Sequence, residues 1–418
     1  MSSVVLNSGQ TEAMEMIKLF REQDVERVAR VTGYAGTGKT TLIKEISAAG
    51  KTPDVLTPTG KAALRVGEAT GVFAMTIHRF LYEPTEDPKT GKPIFKLKET
   101  WDDIMVDMIG KLVVVDEASM VDKQVWNDLL TISKRVGFHI LLMGDLFQLP
   151  PVYKDNDGRG FSTLTLDTPF SVNLTEVHRQ AQESPIIRAS MMLRSGAPEY
   201  EAMETLEAMG ANKLVPEIIE ARARGGVAIC FTNKRRHALN ASVRKELGYT
   251  NGLEAKEPIL VTQNNYQLNV WNGEVLEFQG WDRPPQEDLV EAVVDRYTGN
   301  SMNVHFGVGR LDGQYAVIAD ESVTGKVEAA GVGAWAVRKA ARRWYKDTYR
   351  TEHSIPYLDC NYGYALTCHK AQGSEWPEVI VVMEDALSAL RGIEKKRWLY
   401  TAITRAKDRV RYCYLGDS

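Results

Sequence analysis

Short apolar runs of strand length recur along the chain, each followed by a stretch in which apolar residues return every three or four positions. The β-branched run Val28 to Thr32 leads, through a Gly-rich turn, to Leu42, Ile43 and Ile46 on one helical face. Asp54-Val-Leu-Thr57 reads as a short strand broken at Pro58, with a helix beginning near Gly60. Lys111-Leu-Val-Val-Val115 and His139-Ile-Leu-Leu-Met143 are continuous apolar runs, the pattern of parallel strands buried on both faces. At the start, Asn7 or Ser8 is set to cap a helix with apolar positions Met14, Ile17 and Leu19, and Phe170 to Arg179 closes this first series. A second series starts at Gly225 to Asn233 and resumes at Tyr362. It continues with a strand over Val379 to Met383, a helix over Glu394 to Lys407 and a last strand over Arg409 to Leu415. Strands alternating with helices predict an α/β fold built on parallel sheets.

Two stretches break the alternation. Tyr82 to Trp101 carries three prolines, a Lys89-Thr-Gly-Lys92 turn and the alternating strand Ile94-Phe-Lys-Leu-Lys98, which reads as an inserted β-hairpin. Residues 265 to 355 are rich in short alternating segments (270–278, 289–297, 302–306 and 315–319) separated by Gly, Pro, Asp and Asn. They predict a small β-barrel inserted into the second domain, with a helix near Val337 to Tyr349. The expected organisation is a first domain over 1–180 interrupted by the hairpin at 81–101, and a second over 181–264 and 356–418 interrupted by the barrel at 265–355.

A length of 418 residues suits two to four such units, and 44% hydrophobic with 25% charged residues suits a globular class. No apolar run is long enough to cross a bilayer, and the N-terminus lacks a basic region followed by an apolar core, so the expected location is cytoplasmic, with no membrane partner. Cys230, Cys360, Cys368 and Cys413 form no C-x-x-C pair and read as buried free thiols, with no structural metal. A net charge of -4 gives no whole-protein field for a polyanion. Any nucleic acid must meet local basic groups such as Lys234-Arg235-Arg236, the series Arg338 to Arg350, or Lys395-Lys396-Arg397, each of which reads equally as a solvated helix face.

The turn between the first strand and helix changes the picture. Gly33, Gly36, Gly38, Lys39 and Thr40 complete G-x-x-x-x-G-K-[ST], the P-loop spacing. Glycines let backbone N–H groups turn toward phosphate oxygens, Lys39 brings a point charge to the β/γ-phosphates, and the Thr40 hydroxyl ligates Mg2+. Asp116-Glu117, after a buried strand, fits a Walker B pair in which Asp116 holds the metal and Glu117 polarises the attacking water.

The ordered set Gln10, Gly33 to Thr40, Thr57-Pro-Thr-Gly60, Thr76-Ile-His78, Asp116-Glu-Ala-Ser119, Gly144-Asp-Leu-Phe-Gln-Leu-Pro150, Leu174-Thr-Glu-Val-His-Arg-Gln180, Tyr364-Ala-Leu-Thr-Cys-His-Lys-Ala-Gln-Gly373 and Tyr400-Thr-Ala-Ile-Thr-Arg-Ala406 resembles the superfamily 1B helicases of the RecD/Dda type. The likeness spans nearly the whole chain, and in length and inserted hairpin it is nearest the compact phage Dda branch. It implies two RecA-like P-loop domains, ATP and Mg2+ as cofactors, and 5′ to 3′ translocation on single-stranded DNA with duplex unwinding at a fork.

The same resemblance implies roles residue by residue. Gln10 reads adenine, Thr37, Thr41 and Gly373 join the nucleotide-binding set, Gln148 senses the γ-phosphate, and Arg179 and Arg405 act as arginine fingers from opposite domains. Pro58, Thr59, Thr76, His78, Asn233, His369 and Ser374 line the strand, and Phe95 is the hairpin aromatic that stacks on a base, or else packs the hairpin's own small core. The region by which RecD joins a nuclease complex has no match, so no such complex is expected; the protein is expected to work as a monomer, with replication or recombination partners left unidentified. Two rival activities stay open: a nucleotide-switched single-strand-binding ATPase without unwinding, and an RNA helicase.

Overall fold

A computed structural model describes residues 6–49, 52–86, 93–99, 101, 107–150, 161–176, 183–249, 252–287, 289–296, 298–350 and 355–416. The chain divides into two compact units: Met1–Pro84 with Phe95–Leu206 and Leu390–Thr404, and Thr85–Ile94 with Glu207–Ala389 and Arg405–Ser418. The division thus falls after Leu206 rather than after residue 180, and a late helix, Ile393–Ile403, counts with the first unit.

The first unit opens with helix α1 (Ser8–Glu22), capped by Asn7 in a reciprocal capping box with Gln10. Its buried face is Gln10, Ala13, Ile17 and Phe20, whereas Leu19 points outward at 61% exposure because it falls off that 3.6-residue period. Strand β1 (Val28–Gly33) leads into α2 (Lys39–Ala48), β2 (Asp54–Thr57) into α3 (Gly60–Thr70), and β3 (Ala74–Thr76) into the short α4 (Ile77–Leu81). Strands β4 (Tyr82–Glu86) and β5 (Pro93–Leu97) pair with each other, and the turn expected over Lys89 to Lys92 lies outside the described residues. Then come β6 (Leu112–Val115), α5 (Lys123–Val136), β7 (His139–Gly144), β8 (Ser171–Leu174) and α6 (Pro185–Arg194). The sheet order is β3-β2-β6-β7-β1-β8 and every recorded pair is parallel. All four residues of β6 and all six of β7 are buried, as continuous apolar runs require when helices cover both faces.

In the second unit β9 (Glu207–Ala208), α7 (Leu214–Ala223), β10 (Val227–Cys230) and α8 (Asn233–Glu246) precede the insertion. After β11 (Pro258–Val261) the insertion contains β12 (Val275–Glu277), β13 (Gly280–Arg283), β14 (Val290–Val294), β15 (Ser301–Leu311), β16 (Gln314–Ala319) and α9 (Ala334–Tyr349). The chain returns through β17 (Cys360–Tyr362), β18 (Ala365–Thr367), β19 (Trp376–Glu384) and β20 (Ala406–Leu415). The parallel sheet is ordered β18-β10-β19-β20-β9. The inserted strands and the flanking β11 and β17 pair antiparallel in two sheets, β11 with β12 and β17, and β15 with β13, β14 and β16. Among the described residues no pair closes them into a ring, so the expected barrel is seen as these two sheets, with α9 packed on the second.

The helix expected to run to Lys407 ends at Ile403, and the last strand starts at Ala406 rather than Arg409. Thr404 Oγ1 donates to the Tyr400 and Thr401 carbonyls and closes the helix, and Trp376 N–H then takes the Arg405 carbonyl as a sheet partner. The four cysteines are buried free thiols. No helix among the described residues is long and apolar enough to cross a membrane.

Candidate nucleotide and nucleic-acid sites

The loop between β1 and α2 is shaped by its glycines. Gly36 and Gly38 both sit at φ 79°, the left-handed region that favours glycine. A Cβ on Gly33 would lie 2.5 Å from Thr37 Oγ1 and 3.0 Å from the Leu174 side chain, so no larger residue fits there. Thr37 Oγ1 donates to the Tyr34 carbonyl at 2.9 Å, and Lys39 Nζ donates to the carbonyls of Gly33 and Tyr34, each at 2.8 Å. No side chain caps α2, so the N–H groups of its first turn, which holds Lys39, Thr40 and Thr41, offer an anion both donors and the helix dipole. Gln10 is buried beneath the loop, its Oε1 accepting from Asn7 N–H at 3.0 Å and its Nε2 donating to the Gly38 carbonyl at 3.4 Å. The capping box of α1 thereby braces the P-loop. A cradle that a Cβ would fill, together with uncapped amides and a lysine, fits a triphosphate.

Two acids stand at the end of β6. Asp116 is buried, and its carboxyl is pushed up to about 6, first by burial and then by the charge of Glu117, with Arg65 and Lys39 opposing. The hydroxyl of Thr40 and the carboxylate of Asp116 are oxygens of the kind that would suit a hard divalent cation. Glu117 has φ 52°, a left-handed conformation costly for a residue with a Cβ, and Arg65 Nη2 pairs with its carboxylate at 2.9 Å.

The segment after β7 is held by a buried network. Gly144 lets β7 pass close to the acidic turn, since a Cβ there would meet Leu164 at 2.9 Å and Ala118 N at 3.2 Å. Asp145 accepts from Phe147 N–H at 2.9 Å, from Arg194 at 2.5 Å and from the Tyr400 hydroxyl. That hydroxyl in turn accepts the P-loop N–H of Ala35 at 3.2 Å, and Arg194 lies 4.1 Å over the Tyr34 ring. Leu149 N–H donates to Thr401 Oγ1 at 3.0 Å. Gln148, between these ties, is buried with its Oε1 left without a hydrogen-bond partner among the described residues.

The residues expected along a strand are spread over both units. Thr59 caps α3 by accepting from Ala62 N–H at 3.2 Å, with Pro58 beside it, and Thr76 caps α4 by accepting from Arg79 N–H at 3.1 Å. Both threonines thus perform local work, and Thr76 is only 3% exposed. His78 lies 5.5 Å edge-on to Phe95, which is 49% exposed, so that ring packs on one side and is open on the other. In the second unit Asn233 is exposed at the start of α8 and lines, with Arg236, Thr262, Asn361 and Lys370, a cavity of about 270 Å³. His369 is partly buried, and burial lowers its imidazole pKa. Ser374 is 1% exposed and presents no surface to a strand here, its carbonyl accepting from Arg405 at 3.4 Å; Gly373 before it has φ 74°. Arg179 lies outside the described residues.

Sequence reasoning missed Arg65, Asp145, Arg194 and Tyr400. Asp145 and Tyr400 sit inside motifs already singled out, but nothing local signals that residues 255 positions apart are hydrogen-bonded.

Residues 5–217 match the family described as the AAA domain, and residues 362–412 match the UvrD-like helicase C-terminal domain. The ATP-dependent RecD2 DNA helicase of Deinococcus radiodurans is 31% identical over 92% of this chain and 46% of its own length. The RecBCD enzyme subunit RecD of Mycolicibacterium smegmatis is 25% identical over 91% of this chain and 67% of its own. The chain therefore spans about half the length of the first of these relatives. Among solved structures, a Pif1 helicase from Bacteroides in complex with ADP-AlF3 and ssDNA superposes with a TM-score of 0.56 at 19% identity, covering 98% of this chain and 92% of that one, a likeness of fold.

Proposed function

We propose, from the premise that this chain belongs to the AAA-domain family of P-loop proteins and to its superfamily 1B, RecD/Pif1-type branch, that it is an ATP-driven motor moving 5′ to 3′ on single-stranded DNA and unwinding duplex. The observation that carries the reading is the clustering, within one unit, of the P-loop, the Asp116–Glu117 pair and the Gln148 segment at the carboxyl ends of β1, β6 and β7. Ligands of open α/β sheets bind at that edge.

In this reading Lys39 and the α2 amides hold the β- and γ-phosphates, and Gln10 sits behind the loop toward the base. Thr40 and Asp116 would hold Mg2+, whose charge would offset that of the phosphates. Glu117, steadied by Arg65, orients the attacking water, and Gln148 reports the γ-phosphate. Arg405 and Arg179 neutralise transition-state charge. Because Arg405 is carried by the second unit, turnover depends on its delivery to a triphosphate held by the first, which ties hydrolysis to movement. Thr59, Thr76, His78 and Phe95 from the first unit and Asn233, His369 and Ser374 from the second serve the strand, with Ser374 needing a local opening to do so. The insertions at 81–101 and 265–355 act as a separation pin and an accessory domain on RecA-like cores.

Strand displacement on partial duplexes with a 5′ or a 3′ tail, in DNA and RNA versions with ATP and Mg2+, tests the reading. Unwinding of 5′-tailed DNA is expected, lost by roughly 10³-fold or more in Arg405→Ala while strand binding survives. Displacement from the 3′ tail alone would reverse the direction, and strand-stimulated ATPase without displacement would make the protein a nucleotide-switched binder. Preference for the RNA substrates would move it to RNA.

A further inference from the structure

The function above leaves α9 of the insertion without a task. Its inner face, Val337, Ala340, Ala341 and Trp344, is buried in the core of the inserted sheet. Its outer face carries Lys339, Arg342 and Lys346, all exposed, and Arg350 continues the row at the C-cap. Spacings of three and four residues stack these four cations into one stripe roughly 16 Å long at 1.5 Å rise per residue. The helix holds five cations and one acid, Asp347, in a chain whose formal net charge is -4.

These cations are not consumed by the fold. Arg343 pairs with Glu291 and Arg338 reaches the neutral Gln263 at 3.4 Å, but Lys339, Arg342, Lys346 and Arg350 have no anionic partner among the described residues. Like charges three and four residues apart destabilise a helix, so the row costs stability unless an anion lies along it. Arg296, on the turn after β14, lines with Lys339 and Arg343 a groove of about 160 Å³ floored by Ala292, Ala336 and Ala340. Arg296 thus faces the side of α9 that carries Lys339.

The occupant follows from what the stripe lacks. Single strands are held by stacking on exposed aromatics as well as by charge. Here Trp344 is buried, Tyr345 and Trp335 are half-buried, Trp335 lining the groove beside Lys339, and Tyr349 lies under Arg283 at 4.1 Å, so no fully exposed ring stands along the row. A rigid line of cations without stacking platforms suits the backbone of a duplex, which presents one charge per about 1.7 Å of axis. We propose that α9, with Arg296, is a duplex-phosphate surface that grips the double-stranded arm of the substrate, separate from the single-strand path. This rests on the DNA-motor reading.

The test is the variant Lys339→Gln, Arg342→Gln, Lys346→Gln, whose exposed side chains can be changed without disturbing the core. Binding to a blunt-ended duplex is titrated from low to moderate salt, and single-strand-stimulated ATPase is measured beside it. Each phosphate contact adds about 0.9 to the salt slope on duplex, so the variant slope should fall by about 2.7, with ATPase unchanged. An unchanged duplex slope overturns the proposal, as does an equal loss on single strand, which would put the strand itself on the stripe. Should the wild type lack strand-stimulated ATPase, the motor reading fails, while the duplex slope still reports on α9.

Discussion

Replacing Tyr400 by phenylalanine removes one oxygen from a fully buried ring and leaves its edge-on packing against Phe147, centroids 5.3 Å apart, in place. The lost oxygen donates to Asp145 and accepts from Ala35 N–H at 3.2 Å. Burial and the neighbouring Asp145 carboxylate push the phenol far above its usual pKa, so it is a donor at every working pH. Asp145 keeps Arg194 at 2.5 Å and Phe147 N–H at 2.9 Å, so its carboxylate is not stripped bare. The loss is one hydrogen bond to a charged group, about 1.5–3 kcal/mol, and one buried amide deprived of its acceptor, about 1–3 kcal/mol. The two overlap, because Arg194 and the loop can adjust, and about 3 kcal/mol is expected in total. A chain of two units does not melt as one transition, so the readout is the calorimetric transition of the first unit. At about 2–4 °C per kcal/mol its midpoint should drop by roughly 6–12 °C. A double-mutant cycle with Asp145→Asn should give a coupling of at least about 1 kcal/mol. A midpoint within about 1 °C of wild type, or strict additivity in the cycle, would mean the network does not hold the P-loop to the segment after β7.

Two further outcomes are expected. Arg65→Met keeps the aliphatic stem but removes the guanidinium 2.9 Å from Glu117, so ATP turnover should fall by roughly 10²-fold with nucleotide affinity unchanged; equal turnover would show that Glu117 is positioned without it. Burial depresses the His369 pKa below 6.5, so its stability contribution is fully present above the unfolded value and is lost as pH falls from there through the folded one. The second unit should therefore melt progressively lower from pH 7 to 5, by at most about 1.4 kcal/mol per pH unit from this group, and His369→Gln should flatten the fall. Parallel curves for variant and wild type would remove His369 as the cause.

What the sequence made legible was what short-range chemistry dictates. The P-loop glycines, the buried run Leu112–Val115 and the cap at Asn7 each declare themselves within a few residues. Where the helix after Gly392 ends was not legible, because Thr404 closes it and a strand partner from Trp376 takes over the chain. The inserted strands alternate as a barrel's would, yet closure depends on pairs that alternation does not encode. Among site residues, the phosphate cradle and acids were readable from spacing. The Arg65–Glu117 pair and the Asp145–Arg194–Tyr400 network were not, since each joins segments distant in sequence. Thr59 and Thr76 show the converse, being residues of a recognisable motif that also work as helix caps.

Gly33 is the last residue of β1 and pairs in register with Leu174 of β8, the strand at the edge of the sheet. Its missing side chain therefore sets the gap between two strands as well as the curve of the loop. A substitution there would be scored in any assay as loss of nucleotide, yet the injury would begin in the sheet, where β8 is pushed off its neighbour. Lys39 and Gly33 variants can give the same silent ATPase for unrelated reasons, and only the second should expose the β1–β8 amides to hydrogen exchange.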